Sequence, residues 1–303
     1  MLLKIGTRGS ELALTQANTI ACALKATGHD TELVIIHTSG DLAQTATFGS
    51  IGAQGVFVRE IEHALLRHEV DLAVHSFKDL PSRSPPELVV AAIPARCDPA
   101  DLLILRDASC GKQVDALMSL PSGARVGTSS ARRQAWLTHF KPGVRVEALR
   151  GNLPTRLKKL RAGDYEAILL AAAGIERLRG AGDLLDSALD GAIIERLDPQ
   201  VFVPAPAQGA LALQCRIDDA GVREILARLD DPKSRAEVTA ERDALARAEG
   251  GCDTAFGAYC EAGGLGYQLT VMLERAGKVR STRIQSANSD TLGARAWAEL
   301  INA

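Results

Sequence analysis

Short apolar runs of about four to seven residues recur through the first two-thirds of this chain, and stretches with helical spacing separate most of them. That alternation constrains the fold more than any other feature. Two strands in one sheet joined through a helix lie parallel, and the crossover between them is right-handed. Residues 2–7 read as a buried strand. Ser10 reads as an N-cap opening a helix over 11–25, which stops near Gly28. Residues 31–37 read as a second strand, 57–68 as a helix, 71–75 as a short buried strand and 87–93 as another. The sheet they form is expected to be mostly parallel. The glycine-rich stretch between Gly40 and Gly55 has the character of a surface loop.

The same logic repeats. Residues 102–105, 124–127, 144–149 and 167–171 read as strands, with helices over 130–140 and 153–162 between them. Pro204-Ala-Pro206 then punctuates the chain before one more apolar strand over 210–214, which can return to the first sheet. From about Asp218 the pattern changes to two helices, near 222–229 and 234–249, a three-stranded antiparallel meander over 255–285 and a last helix over 291–301. The expected fold class is α/β. Domain 1 spans 1–97 with a returning strand in 205–220, domain 2 spans 98–204, and a small C-terminal α+β domain spans 221–303.

A net charge of −2 argues against a general binder of nucleic acid or membrane surfaces. No apolar run reaches the roughly 18 residues that span a bilayer, and the N-terminus does not read as a signal peptide, so a cytoplasmic protein is expected. The six cysteines (Cys22, Cys97, Cys110, Cys215, Cys252 and Cys260) are scattered without zinc spacing. The basic residues, however, are 26 arginines against 9 lysines. A GC-rich genome accounts for such a bias, but not for where some of the arginines sit.

In open α/β sheets, ligands bind beyond the carboxyl ends of strands, where helix N-termini offer free N–H groups. Four segments place polar residues there: Thr7-Arg8-Gly9-Ser10, Ser76-Phe77-Lys78-Asp79, Thr128-Ser129-Ser130-Ala131-Arg132-Arg133, and Arg150-Gly151-Asn152-Leu153-Pro154-Thr155-Arg156. The hydroxyls can be simple caps. Arginine, though, is disfavoured in a first helical turn, where the dipole prefers anions. Its recurrence at several helix starts implies an anion in front of them, and arginine suits bidentate carboxylate binding. Asp79 is the one carboxylate in the set. Surrounded by cations it should stay ionised, fit to stabilise a cationic intermediate or to exchange a proton.

The segments TRGSELALTQ, GVFVREIEHAL, DLAVHSFKDLP, VGTSSARRQ, LRGNLPTRL, LAAAGIERL, AQGALALQCR and EGGCDT succeed one another as in the porphobilinogen deaminase family, which the chain resembles from about residue 4 to residue 285. The resemblance implies two periplasmic-binding-protein-like α/β domains hinged across a cleft, with a third domain carrying a cofactor loop. It implies a transferase that condenses four molecules of porphobilinogen into the linear tetrapyrrole hydroxymethylbilane and releases ammonia. The cofactor would be dipyrromethane, held by a thioether to Cys252, and no metal is implied. By the same resemblance, Asp79 is the catalytic carboxylate. Arg8, Ser10, Lys78, Thr128, Ser129, Ser130, Arg132, Arg133, Arg150, Arg156 and Arg177 bind the carboxylates of substrate and cofactor. The small-molecule substrate is the expected partner, with no nucleic acid, no membrane and a monomeric chain.

Two positions depart from the family pattern. Gln54 stands where a lysine is common in the glycine-rich loop, and Ala207 stands where a glycine precedes Gln-Gly. A non-catalytic anion- or solute-binding protein of two α/β domains is the main alternative. It leaves Cys252, Asp79 and the third domain without roles. A nucleotide enzyme is disfavoured, since neither GxxxxGK[ST] nor GxGxxG is present.

Overall fold

A computed structural model describes residues 1–36, 53–110, 115–179, 189–248 and 255–302, without the side chains of 53–57. Contacts divide the chain into two compact units, residues 1–96 with 210–236, and residues 97–209 with 237–303.

The first unit is built on a five-stranded sheet. β1 (Leu2–Thr7) lies parallel to β2 (Asp30–Ile35) on one side and to β3 (Leu72–Ser76) on the other. The helix α1 (Glu11–Ala26) makes the first crossover, and α2 (Ala53–Leu66) precedes β3. α1 buries Ala17, Ile20 and Leu24, a stripe at helical spacing, in a core with Leu3, Ile5, Leu72, Val74 and Leu213. Each large side chain in that stripe contributes about 1.5–3 kcal/mol by leaving water. β4 (Leu88–Ala92) forms the far edge.

The second unit holds another five-stranded sheet, in the order β7-β6-β8-β5-β9. Its strands are β5 (Asp101–Leu105), β6 (Arg125–Gly127), β7 (Arg145–Glu147), β8 (Ala167–Ala171) and β9 (Ile193–Arg196). A short α3 (Ala116–Ser119) precedes β6. α4 (Ala131–Phe140) and α5 (Leu153–Arg161) are the crossovers of the parallel part, and α6 (Ala172–Arg179) follows β8. β10 (Leu211–Arg216) then returns to the first sheet and lies antiparallel between β3 and β4.

Both sheets are therefore mixed rather than mostly parallel. β5 is antiparallel to β8 and β9, as β10 is to its neighbours. Neither is delivered by a local strand–helix–strand unit, and only such a unit enforces parallel pairing. β9 and α6 are absent from the sequence reading for a simple reason. β9 is four residues long, and α6 starts at Ala172 directly after β8 ends at Ala171, with no polar turn to break the pattern.

α7 (Ala220–Ala227) follows β10 and packs Val222 and Leu226 into the core of the first unit. The C-terminal part comprises α8 (Pro232–Ala248), the meander β11 (Ala255–Gly263), β12 (Gly266–Arg275) and β13 (Lys278–Ser286), and α9 (Leu292–Asn302). One face of the meander packs with α8 and α9 through residues such as Ala244, Phe256, Leu269, Val271 and Leu300. Ala255 and Met272 instead join the core of Leu103, Leu105, Trp136 and Phe202, so the meander shares a compact unit with the second sheet. No helix among the described residues is long and apolar enough to cross a membrane.

The segment leading into β10 is tightly specified. Gly209 has φ +89°, and a Cβ there would lie 2.5 Å from the Cys97 carbonyl oxygen. Ala207, fully buried, is held in the left-handed region at φ 61°, and its N–H donates to Glu241 Oε2 at 2.7 Å. A left-handed alanine costs roughly 1–2 kcal/mol, against about 0.8 kcal/mol for burying its methyl. Ala207→Gly should therefore leave stability unchanged or raise it by up to about 1 kcal/mol in chemical denaturation. A loss of 1 kcal/mol or more, the usual outcome for a buried alanine, would contradict this.

Candidate active site

In the first unit, the ends of two neighbouring parallel strands create the site. β1 runs out at Thr7 and delivers the half-buried Arg8, and then Ser10, whose Oγ accepts the Ala13 N–H at 3.4 Å as the cap of α1. β3 runs out at Ser76 into a single 3-10 turn, Phe77–Asp79, which carries Lys78 and Asp79. A cavity of about 280 Å³ lies there, lined on its polar side by Arg8, Ser10, Gln16, His75, Ser76 and Asp79. Leu12, Val58, Ile61 and Val74 supply apolar wall.

Asp79 presents an open surface to solvent, yet its carboxylate is closely surrounded by protein. This crowding pushes its pKa above the ordinary value, and the charges of Lys78 and Arg8 only partly offset it. The neighbouring cations favour the ionised form, as their spacing in the sequence implies, but in the folded protein desolvation outweighs them. Behind the cavity, Gln214 donates from Nε2 to Glu62 Oε1 at 2.9 Å, so its Oε1 is left to accept from His75 Nε2, also at 2.9 Å. Burial holds His75 down at about 4, against the raising effect of Gln214, so the imidazole is neutral at neutral pH. On the cavity wall the Gln16 amide donates to Ser76 Oγ at 2.9 Å.

The second unit collects the remaining arginines. Ser130 caps α4, its Oγ accepting the Arg133 N–H at 3.4 Å, while its own N–H donates to Thr128 Oγ1 at 3.2 Å. Ser129 donates to the Leu149 carbonyl at 2.8 Å. The next turn is shaped by Gly151, at φ +115°, where a Cβ would come within 2.7 Å of the Thr155 side chain. Asn152 caps α5 by accepting the Thr155 N–H at 3.0 Å, and Arg156 Nε donates to the Gly151 carbonyl at 2.8 Å. Arg177 on α6 donates to the Gly209 carbonyl at 2.7 Å, and Arg150 is exposed.

Arg132 and Arg133 turn inward. Both are buried, and both bind Asp101, the first residue of β5. The anion that first-turn arginines call for is here a carboxylate of the protein itself. Burial lowers the pKa of Arg156, and the charge of Arg133 lowers it further, so those two cations stand close enough to repel. Among the described residues, no carboxylate pairs with Arg150, Arg156 or Arg177.

The expected site residues thus fall into two groups. Arg8, Ser10, Lys78 and Asp79 come together in the first unit, and Thr128, Ser129, Ser130, Arg132, Arg133, Arg150, Arg156 and Arg177 lie in the second. Cys252 lies outside the described residues, as do the Gln54 side chain and residues 37–52. Sequence reasoning missed Gln16, His75 and Asp101, and carried Ser76 only as the first residue of the Ser76–Asp79 segment. Gln16 had a usable signal, being the one polar residue in the i, i+4 stripe Leu12, Gln16, Ile20, Leu24 on α1.

A family profile described as "Porphobilinogen deaminase, dipyromethane cofactor binding domain" matches residues 3–224. The porphobilinogen deaminase of Brevibacillus brevis is 44% identical over 262 residues, covering 86% of this chain and 80% of that one. Its counterpart in Mycolicibacterium paratuberculosis is 46% identical over 260 residues, 86% of this chain and 77% of that one. That of Roseiflexus sp. is 42% identical over 294 residues, 96% of this chain and 92% of that one. Among solved structures, the Bordetella pertussis BvgS periplasmic VFT2 domain is similar with a TM-score of 0.44 at 15% identity, over 75% of this chain and 86% of that one, too distant a likeness to bear on function. The profile over most of the chain and the identity with these relatives place it: the chain belongs to the porphobilinogen deaminase family.

Proposed function

We propose that this protein condenses four molecules of porphobilinogen, head to tail, into the linear tetrapyrrole hydroxymethylbilane, with ammonia released at each addition and one water supplying the terminal hydroxyl when the product leaves. The observation that carries the reading is Asp79, a carboxylate at a cavity of about 280 Å³, under the charges of Lys78 and Arg8. Porphobilinogen is a pyrrole bearing an acetate, a propionate and an aminomethyl group, the last protonated as an ammonium at neutral pH. Arg8, Ser10 and Lys78 hold its carboxylates, and Asp79 accepts a hydrogen bond from the pyrrole N–H. The carboxylate then stabilises the positive charge that develops on the pyrrole as the C–N bond breaks and ammonia leaves with the bonding pair. Once the new C–C bond has formed, the proton on the attacked ring carbon passes to Asp79.

Each addition brings two further carboxylates. Arg132, Arg150, Arg156 and Arg177, with the hydroxyls of Thr128, Ser129 and Ser130, receive them, and Arg133 adds its charge beside Arg132. Cys252 would hold dipyrromethane through a thioether, and that group would supply the rings to which substrate units are added. The residues present suit a group bearing carboxylates. Arg132 Nε is buried with no hydrogen-bond partner, and Arg150, Arg156 and Arg177 have no carboxylate partner among the described residues. A buried guanidinium N–H left unmatched costs free energy that an arriving carboxylate restores.

Asp79→Asn keeps size and removes charge. It should fold normally, bind substrate, and lose roughly 10²–10⁴-fold in kcat by steady-state assay, the range for a group that moves a proton. Near-normal turnover would remove Asp79 from the chemistry. Because crowding raises the Asp79 pKa, its ionised form disappears as pH falls at a higher pH than for an ordinary aspartate at 3.8. The acid limb of the kcat profile should accordingly lie above that value in wild type and be absent from the residual activity of Asp79→Asn. A wild-type acid limb at or below it would refute this environment for the active carboxylate. Separately, the intact mass of wild type should exceed the chain mass by two pyrrole units, while Cys252→Ser shows the chain mass alone. A fully active wild type at the bare chain mass would exclude the primed mechanism.

A further inference from the structure

Asp101 is fully buried at the start of β5 and bonds to three side chains at once. Its Oδ2 accepts from Arg132 Nη1 at 2.8 Å. Its Oδ1 accepts from Arg133 Nη2 at 2.7 Å and Nε at 3.1 Å, and from Gln208 Nε2 at 2.9 Å. Burial alone would push this carboxyl up, but the charges of Arg132 and Arg133 outweigh it and hold the group well below the usual carboxylate range. Two cations therefore share one permanently ionised anion, and the cluster carries a net +1.

The two arginines are held differently. Arg133 is committed on every nitrogen, since the Nε and Nη2 fork rests on Asp101 and Nη1 donates to the Leu169 carbonyl at 3.0 Å. Arg132 is anchored through Nη1 alone, to Asp101 and to the Val203 carbonyl at 2.9 Å. Its Nε is buried and has no partner. The Nε edge of a guanidinium is one of the two that take a carboxylate side-on. Native proteins seldom leave such a donor orphaned, because an unmade buried hydrogen bond is destabilising.

We propose that Asp101 is a positioning residue for chain elongation: it fixes Arg133 as a counterion and turns Arg132 so that the Nε edge remains for one ligand carboxylate. The inference rests on the deaminase reading above. It adds that the two neighbouring arginines are not equivalent, and that the feature separating them is an aspartate which itself touches no substrate.

The test compares wild type with Asp101→Asn, each measured per folded molecule by circular dichroism. The amide keeps the shape but sets an NH2 against an arginine donor and leaves the cluster at +2. The expected result is a loss of about tenfold or more in kcat, the scale of one misplaced charge-assisted hydrogen bond, together with stalled complexes carrying one to three added pyrrole units by mass. A merely structural role would lower yield and melting temperature but leave turnover per folded molecule and the distribution of complexes as in wild type, and that result overturns the proposal. Should Asp101→Asn fail to fold, the arginine Nε–H resonances of wild type decide the matter. Adding porphobilinogen should shift the Arg132 signal and leave that of Arg133, already bound to Asp101, in place. Movement of Arg133 alone, or of neither, overturns the inference. A wild type that does not consume porphobilinogen refutes the deaminase reading itself, whereas an active wild type matched by an equally active Asp101→Asn refutes only the role of Asp101.

Discussion

Placing two guanidinium groups side by side out of water costs several kcal/mol each in lost hydration, and their mutual repulsion adds to that. The second sheet tolerates Arg132 and Arg133 because Asp101 stands between them, and because the Val203 and Leu169 carbonyls take up further N–H groups. Gln208 ties the same carboxylate, and the Pro99 carbonyl at 2.8 Å, to the segment leading into β10. That one ion cluster thus fixes the start of β5, the first turn of α4 and the returning chain together. Its sign with pH follows. A carboxyl held below its ordinary pKa contributes stability above that ordinary value and loses it as pH falls, so the cluster is secure throughout the neutral range.

Around this anchor the two sheets handle charge in different ways. In the first, cations and a carboxylate are gathered at adjacent strand ends over a cavity with an apolar wall, so Asp79 feels both attraction from Lys78 and Arg8 and a desolvation that exceeds it. A carboxylate poised in this way gives up its negative charge more readily than a free aspartate, which would suit the proton exchange proposed for it. In the second, arginines are in excess over the carboxylates that meet them, and the like-charge effect of Arg133 on Arg156 records the strain of that excess. On the proposed function, a ligand that gains two carboxylates per addition would relieve it.

Much of this was legible in the sequence, for identifiable reasons. Strand–helix alternation is periodic and local, so α1, α4, α5 and the meander could be read within a few residues of their ends. Ser10 read as a cap because capping needs only the residue and the turn after it, and Ser130, read as the first residue of its helix, is the cap one position ahead of it. What could not be read depends on distant parts of the chain. Asp101 lies about thirty residues from Arg132 and looks like a polar residue ahead of an apolar strand. The antiparallel placement of β5 and β10 follows from long excursions rather than from any local signal. The rise in the Asp79 pKa likewise reflects packing density around the side chain, which spacing and charge in the sequence do not express.

Direct measurement of the overall reaction tests the account at its centre. Incubating the purified protein with porphobilinogen and quantifying both products should give four molecules of ammonia for each molecule of linear tetrapyrrole. Binding of porphobilinogen with neither product formed would contradict the account and favour a solute-binding role for the same arginines.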